Sequence, residues 1–414
     1  MKRIVTCFLM AVYTFLFIYA PRLIAVNTIH ILFVIALPWL IIDKKKFLKV
    51  GRNSGLFNFL LILVILNLYK GIVDTLYGGD LIMDIYSILV IGIELPVVVS
   101  FQIYLYKKHG FSGKDLVNLI ILLGIVQALI AVLMVVSPAF KEIIDNHRFQ
   151  FWDDRYIGWS SKRMYGFSDN LLHVTPIVQA VISVMLIIKT PEKPYLMIFL
   201  PCMLVSIVLN ARVGIFIFII SLFFVIFGSY FPGKRKVVAL LFIFLFISIF
   251  SFLHYFQDYI SLDSFENIIS GFYDFNDLSR GEKTGVFESL FGEHMVLPQG
   301  IDFIFGRGTE VFGGLKIYGM SIHSDIGYVN DLWKYGVFGL VLIVVSYIHL
   351  IKKLIKINMK GADIIRNTFL VSFVIGHFKG TLTIYNDYTA IVLLLTGLVI
   401  YDYKLNKLSC KPVV

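Results

Sequence analysis

The sequence predicts an all-α, polytopic transmembrane protein of about twelve spans. Two features of composition and one of pattern carry that prediction. Of 414 residues, 58% are hydrophobic and 15% are charged, against roughly 45–50% apolar in soluble domains. The mean hydropathy is +0.84. The apolar residues also run on continuously for roughly 17–25 positions at a time, the length a helix needs to cross a bilayer, where barrel strands would alternate. Lipid makes every unpaired backbone N–H and C=O costly, so such runs close their hydrogen bonds within helices. The whole of 1–414 reads as a single integral membrane domain.

In chain order the spans are expected near 4–20, 23–42, 56–77, 81–105, 116–137, 171–188, 194–209, 213–231, 237–255, 326–350, 364–379 and 384–401. The first follows Lys2 and Arg3, and Ala20-Pro21-Arg22 leads straight into the second with no small-residue cleavage site, so it reads as a retained signal anchor. Glu94 sits near the middle of the fourth span, just before Pro96. An intramembrane acid is either functional or satisfied by an interhelical hydrogen bond. The eleventh span is short and ends in His377 and Lys379.

Charge orients the set. The segments holding Lys2 and Arg3; Lys44 to Arg52; Lys107, Lys108 and Lys114; Lys189 and Lys193; Lys234 to Lys236; Lys352 to Arg366; and Lys404 to Lys411 contain 23 of the 37 basic residues and total +18. Everything else totals −8. These basic segments recur at every second loop, so the positive-inside rule places both termini in the cytoplasm. The pI of 9.2 therefore reflects topology and contact with anionic membrane lipid. No basic patch interleaved with aromatics points to nucleic acid. Cys7, Cys202 and Cys410 fall in spans or in the inner tail, so no disulfide is expected. There is no phosphate-cradling glycine loop and no internal repeat, and the acids show no metal-ligand cluster. No metal or other cofactor is expected.

Two outer loops are long. Residues 138–170 carry five bases, five acids, Trp152, Trp159, Tyr156 and Tyr165. Aromatics among charges suit either an interfacial belt or stacking on sugar rings. Residues 256–325, between spans nine and ten, are acidic, with eleven acids against four bases. Ser279 is placed to cap a helix from Arg280 through Leu290. A loop of this length is functional or disordered more often than not, and its Phe, Ile and Leu content argues for short amphipathic helices on the membrane face.

The candidate chemistry lies at the outer ends of spans. Asn210-Ala211-Arg212 forms a very short turn between spans seven and eight, which pins Arg212 at the surface. Arginine there either binds phosphate in a bidentate fashion or snorkels. Arg280 is a loop arginine at a helix start. His323 ends the long loop where span ten begins, and a neutral histidine at such a lip can take a proton from a hydroxyl group. Asp325 and Asp331 are candidates to orient it or to hold sugar hydroxyls. Arg155 and Gly166 match an R-x10-G spacing.

The layout resembles the bacterial O-antigen polymerase and ligase superfamily of membrane glycan transferases. The resemblance rests on Ala211-Arg212-Val213-Gly214, on Ser279-Arg280, on Gly306-Arg307-Gly308 before a histidine, and on His323 opening a span that contains Tyr335-Gly336-Val337-Phe338-Gly339. It covers the topology of nearly the whole chain, but its motifs lie mainly in 206–340. Many ligases have His-Asn where this chain has His323-Ser324, and the Asp325-Ile326-Gly327-Tyr328 run is more like the polymerases. The resemblance implies joining of undecaprenyl-diphosphate-linked repeat units at the outer face of a bacterial inner membrane. It implies Arg212, Arg280 and His323 as catalytic residues and Arg307, Asp325, Asp331 and Arg155 as substrate-binding residues. A chain-length regulator and a flippase would be partners in the same process. Transfer to another acceptor, as in the ligases, and transport of lipid-linked oligosaccharide are the alternatives.

Overall fold

A computed structural model describes residues 2–21, 26–79, 81–149, 163–168, 173–227, 294–311, 315–317, 320–383 and 385–409. The expected ninth span at 237–255, the expected helix from Arg280, and Arg155 lie outside the described residues. The regular elements described are helical apart from one small hairpin.

The chain runs through α1 (Lys2–Tyr19), α2 (Thr28–Ile42), α3 (Lys44–Ser54), α4 (Leu56–Leu76) and α5 (Leu81–Leu89). A π turn, Val90–Glu94, joins α5 to α6 (Leu95–Lys108). Then come α7 (Gly113–Val136), α8 (Pro138–Phe149) and α9 (Val174–Lys189). A 3-10 turn, Pro194–Phe199, leads into α10 (Leu200–Val208), followed by α11 (Arg212–Phe227). Beyond the undescribed stretch lie α12 (Ile301–Phe305), β1 (Leu315–Ile317), β2 (Met320–Ile322), α13 (Gly327–Lys352), α14 (Ala362–His377) and α15 (Asp387–Ser409).

Among the described residues, five helices are long and apolar enough to cross a membrane: Leu56–Leu76, Ile85–Lys108, Gly113–Val136, Gly327–Lys356 and Asp387–Lys407. At 1.5 Å per residue, 20 residues already span about 30 Å. Shorter apolar helices stand at Ile4–Tyr19, Thr28–Ile42, Val174–Lys189, Pro194–Val208 and Val213–Phe227. The outward faces are greasy in register. On α4, Leu61, Ile65, Leu68, Ile72 and Leu76 are exposed at three- and four-residue spacing. Phe338, Val341, Leu342 and Val345 do the same on α13. Such stripes suit lipid and would be a liability in water.

Three stretches differ from the sequence expectation. Lys44 to Arg52 form helix α3 and not a loop; its Val50, Gly51 and Ser54 pack inward while the lysines face out. The first twelve residues of the loop 138–170 are helix α8. The end of the acidic loop contains the antiparallel pair β1–β2, with Lys316 opposite Ser321, where amphipathic helices were expected. Val311, Ile317, Ile322, Ile326, Val329 and Trp333 form a small second core beneath this hairpin.

The main core gathers around α15, which packs against α1, α3, α6, α7, α9 and α13. Its residues from Tyr388 to Leu395 are buried. Polar clips fix the register between helices. Thr14 on α1 meets the Tyr106 hydroxyl on α6 at 2.5 Å and accepts from the Gln102 amide at 2.8 Å. Glu94, left open above, is satisfied between helices: His30 Nδ1 lies 2.6 Å from its carboxylate, and His30 Nε2 lies 2.7 Å from the Tyr86 hydroxyl.

Candidate functional site

Helix α13 begins between two loops, and both are tied to its first turns. On one side lies the segment 294–311. The Ser324 hydroxyl donates to the His294 carbonyl at 2.6 Å, and the Ser324 N–H donates to the Val311 carbonyl at 3.2 Å. Trp333 Nε1 donates to the Val296 carbonyl at 2.8 Å. On the other side lies 377–383. Gly327 stands so close to this loop that a Cβ on it would come within 2.4 Å of the Gly380 carbonyl oxygen.

The glycine motifs read separately in the sequence meet in space. Helix α13 breaks at Gly336, which has φ 66° and ψ −177°. The last carbonyls of a helical segment need outside donors. Those of Trp333 and Lys334 accept the N–H groups of Arg307 and Gly308, at 2.7 and 3.1 Å. Gly306, at φ 75°, sits against the break itself: a Cβ on it would come within 2.5 Å of the Gly336 nitrogen. The Gly306-Arg307-Gly308 turn is thus the piece that caps the first half of α13.

His323 lies just before this half-helix, 42% exposed, with Nε2 3.2 Å from an Asp325 carboxylate oxygen. The other Asp325 oxygen is 3.7 Å from the Lys379 ammonium. The His294 ring stands across the His323 ring, with centroids 5.1 Å apart. The lip therefore joins an imidazole, a carboxylate, a second imidazole and a cation. Asp325 stands beside His323.

Asp331 does not. It points into the bundle, where His377 Nε2 is 3.1 Å away and both side chains are fully buried. His377 Nδ1 accepts the Leu382 N–H at 3.1 Å, so Nε2 carries the proton and donates to Asp331. The Thr383 hydroxyl adds a second donor at 2.9 Å. Tyr328 covers the pair edge-on, 4.4 Å from the His377 ring.

Arg307 is engaged elsewhere as well. Its guanidinium lies over the Tyr77 ring at 4.3 Å and 3.6 Å from Asp302, whose carboxylate also accepts from the Tyr77 hydroxyl at 3.1 Å. That arrangement fastens the turn to the end of α4. Lys334 is buried and pairs with Glu310. The Lys334 ammonium holds the Glu310 carboxyl below its ordinary range.

Arg212 opens α11, and its side chain lies outside what is described, as do Arg155 and Arg280 entirely. The turn before it is well fixed. Asn210 donates to the Met164 carbonyl at 3.0 Å and accepts the Met164 N–H at 3.1 Å. Gly214 permits α11 to approach α9, since a Cβ there would lie 2.6 Å from the Pro176 carbonyl oxygen. The Asn210–Met164 bonds tie the turn before Arg212 to the segment that contains Arg163. Arg163, Lys379 and His377 all lie within electrostatic reach of His173, whose ring packs on Gly380.

His294, Lys379 and Arg163 escaped the sequence reading. His294 and Arg163 sit in long loops with no periodicity, and Lys379 is visible only as the end of a weak span. Set against protein-family models, curated proteins and solved structures, the chain matches none.

Proposed function

We propose that the chain is a membrane polymerase that joins undecaprenyl-diphosphate-linked oligosaccharide repeat units into O-antigen or a similar surface polysaccharide. The observation that carries this reading is the lip of α13, where the partly exposed His323 is paired with Asp325 beside Lys379. In this reading the chain makes about twelve spans with both termini cytoplasmic, as the basic loops indicate. The lip then faces outward from a bacterial inner membrane.

His323 takes the proton from a hydroxyl group of the acceptor glycan. That oxygen bonds to the anomeric carbon of the donor, and the bond from that carbon to the diphosphate breaks. The undecaprenyl diphosphate leaves with the electron pair. Asp325 keeps the imidazole oriented and offsets its charge once protonated. Arg212 and Arg280 hold the diphosphate and meet the charge that develops on it. Arg163 and Lys379 are further cations suited to that task. No nucleotide sugar and no metal takes part.

Purified protein given one synthetic undecaprenyl-diphosphate repeat unit, with EDTA and without nucleotide, should yield a ladder of longer glycans. His323→Ala should abolish the ladder. A wild-type protein that makes no ladder, yet transfers glycan when lipid A core is supplied, is a ligase instead.

Transport of lipid-linked oligosaccharide is the second reading. The buried Asp331–His377 pair and the His30–Glu94 pair favour it, because ionisable groups inside spans often serve ion or proton pathways. Movement of labelled substrate across vesicles, without chain growth, would select it.

A further inference from the structure

The lip holds a donor set that proton transfer leaves partly unused. One ligand atom each from His294, His323 and Asp325 lies within 4.8 Å of the other two, and all three residues are half-buried. His294 Nδ1 is buried and has no hydrogen-bond partner among the described residues. Buried polar atoms are rarely left so. The residue is held in place all the same, because its carbonyl accepts the hydroxyl of buried Ser324. That hydroxyl in turn accepts the Ile326 N–H at 3.1 Å. His323 and Asp325 thus flank Ser324 in the stretch that leads into α13, and His294 is tied to that same stretch.

We propose that His294, His323 and Asp325 form a binding site for one divalent transition-metal ion of the zinc class. Two imidazoles and a carboxylate are donors that zinc accepts, with a fourth position left open. Bonds of about 2.0–2.1 Å in tetrahedral geometry place neighbouring donor atoms roughly 3.3 Å apart. The His323 Nε2 to Asp325 separation of 3.2 Å already has that value. His294 completes the set by a ring movement within the 4.8 Å cluster. Lys379 approaches the Asp325 oxygen that does not face His323, so it steadies the carboxylate and leaves the inner oxygen for the ion. Magnesium and calcium prefer all-oxygen sites and do not fit this set.

The site goes beyond the proposed reaction and is tested without any glycan. Within that reaction its effect would be inhibition, since a metal bound at His323 Nε2 occupies the lone pair that accepts the proton.

The experiment is a titration of the full-length protein in detergent, first stripped with EDTA. Cobalt(II) reports coordination through its visible absorption, and zinc displaces it. One ion per chain is expected, with the spectrum of a tetrahedral site. Loss of an outer-shell partner alone typically weakens metal sites 10- to 100-fold. His294→Ala and the near-isosteric Asp325→Asn should therefore each weaken binding by more than about 100-fold. His109→Ala, at an exposed histidine outside the cluster, should leave it unchanged. Wild-type protein that takes up no ion, or His294→Ala protein that binds as tightly as wild type, would overturn the proposal. Neither result bears on whether a glycan ladder forms.

Discussion

Two histidine–aspartate pairs stand near the start of α13, and they are built from the same chemistry in opposite surroundings. At the lip, His323 and Asp325 stand 3.2 Å apart and are 42% and 23% exposed. Inside the bundle, His377 and Asp331 stand 3.1 Å apart and neither is exposed at all. The inner pair has its remaining needs met by Leu382 and Thr383 and is covered by Tyr328. It has no room for a substrate and its removal would leave polar groups orphaned. The outer pair borders solvent and an unpartnered imidazole nitrogen. Identical residue types thus divide into a buried fastener and a partly exposed pair at the lip.

That division is open to attack by mutation. The largest effect should come from Asp331→Ala, which strands His377 and Thr383 in the interior. Breaking a buried pair from one side typically costs about 3–5 kcal/mol, so the variant should show a much lower melting temperature in detergent or fail to accumulate. His323→Ala should act in the reverse sense. Glycan transfer should fall by about 10²–10⁴-fold, while the melting temperature stays close to wild type. If Asp331→Ala proved stable but inactive, the roles assigned to the two pairs would have to be exchanged.

Gly336→Ala probes the support that holds the lip in place. The φ of 66° is unfavourable for alanine, and the new Cβ would come within 2.2 Å of the Ile304 carbonyl oxygen. A loss of about 1–3 kcal/mol is expected, together with reduced transfer as the Gly306–Gly308 turn is displaced. Proteolysis of the 294–311 segment would register the displacement.

Glu310 gives a pH-dependent test of smaller size. Its folded pKa is depressed by Lys334, so the pair's contribution is complete above the ordinary glutamate value of about 4.3. It is lost as pH falls through the lower folded value. Wild-type melting temperature should therefore drop on acidification below about pH 4.3, and Glu310→Gln should reduce that dependence. The smallest change should come from Tyr328→Phe. It removes one hydrogen bond, to the Val374 carbonyl at 3.1 Å, worth about 1 kcal/mol.

The long apolar helices were legible because lipid demands long apolar runs, and Leu56–Leu76 or Gly113–Val136 can be read from hydropathy almost to the residue. Helix α3 was not, because its lysines mask a buried face of Val50, Gly51 and Ser54. At the site, His323 and Asp325 are close in sequence, so their pairing followed from proximity. Asp331 was assigned to the same histidine for the same reason, but the helix turns it toward a partner 46 residues further on. Nothing local announces a contact of that range. His294 is equally distant from any periodic signal, and it reaches His323 through the fold of a loop. The meeting of Gly306 with Gly336 was invisible too, although each glycine stood out by itself.

The position of α15 has a consequence for how the protein comes to exist. This helix touches α1, α3, α6, α7, α9 and α13, and the ribosome makes it after all of them. Until it emerges, the earlier helices can insert into the bilayer but lack the element that joins them. During synthesis they stand as incompletely packed neighbours until α15 joins them.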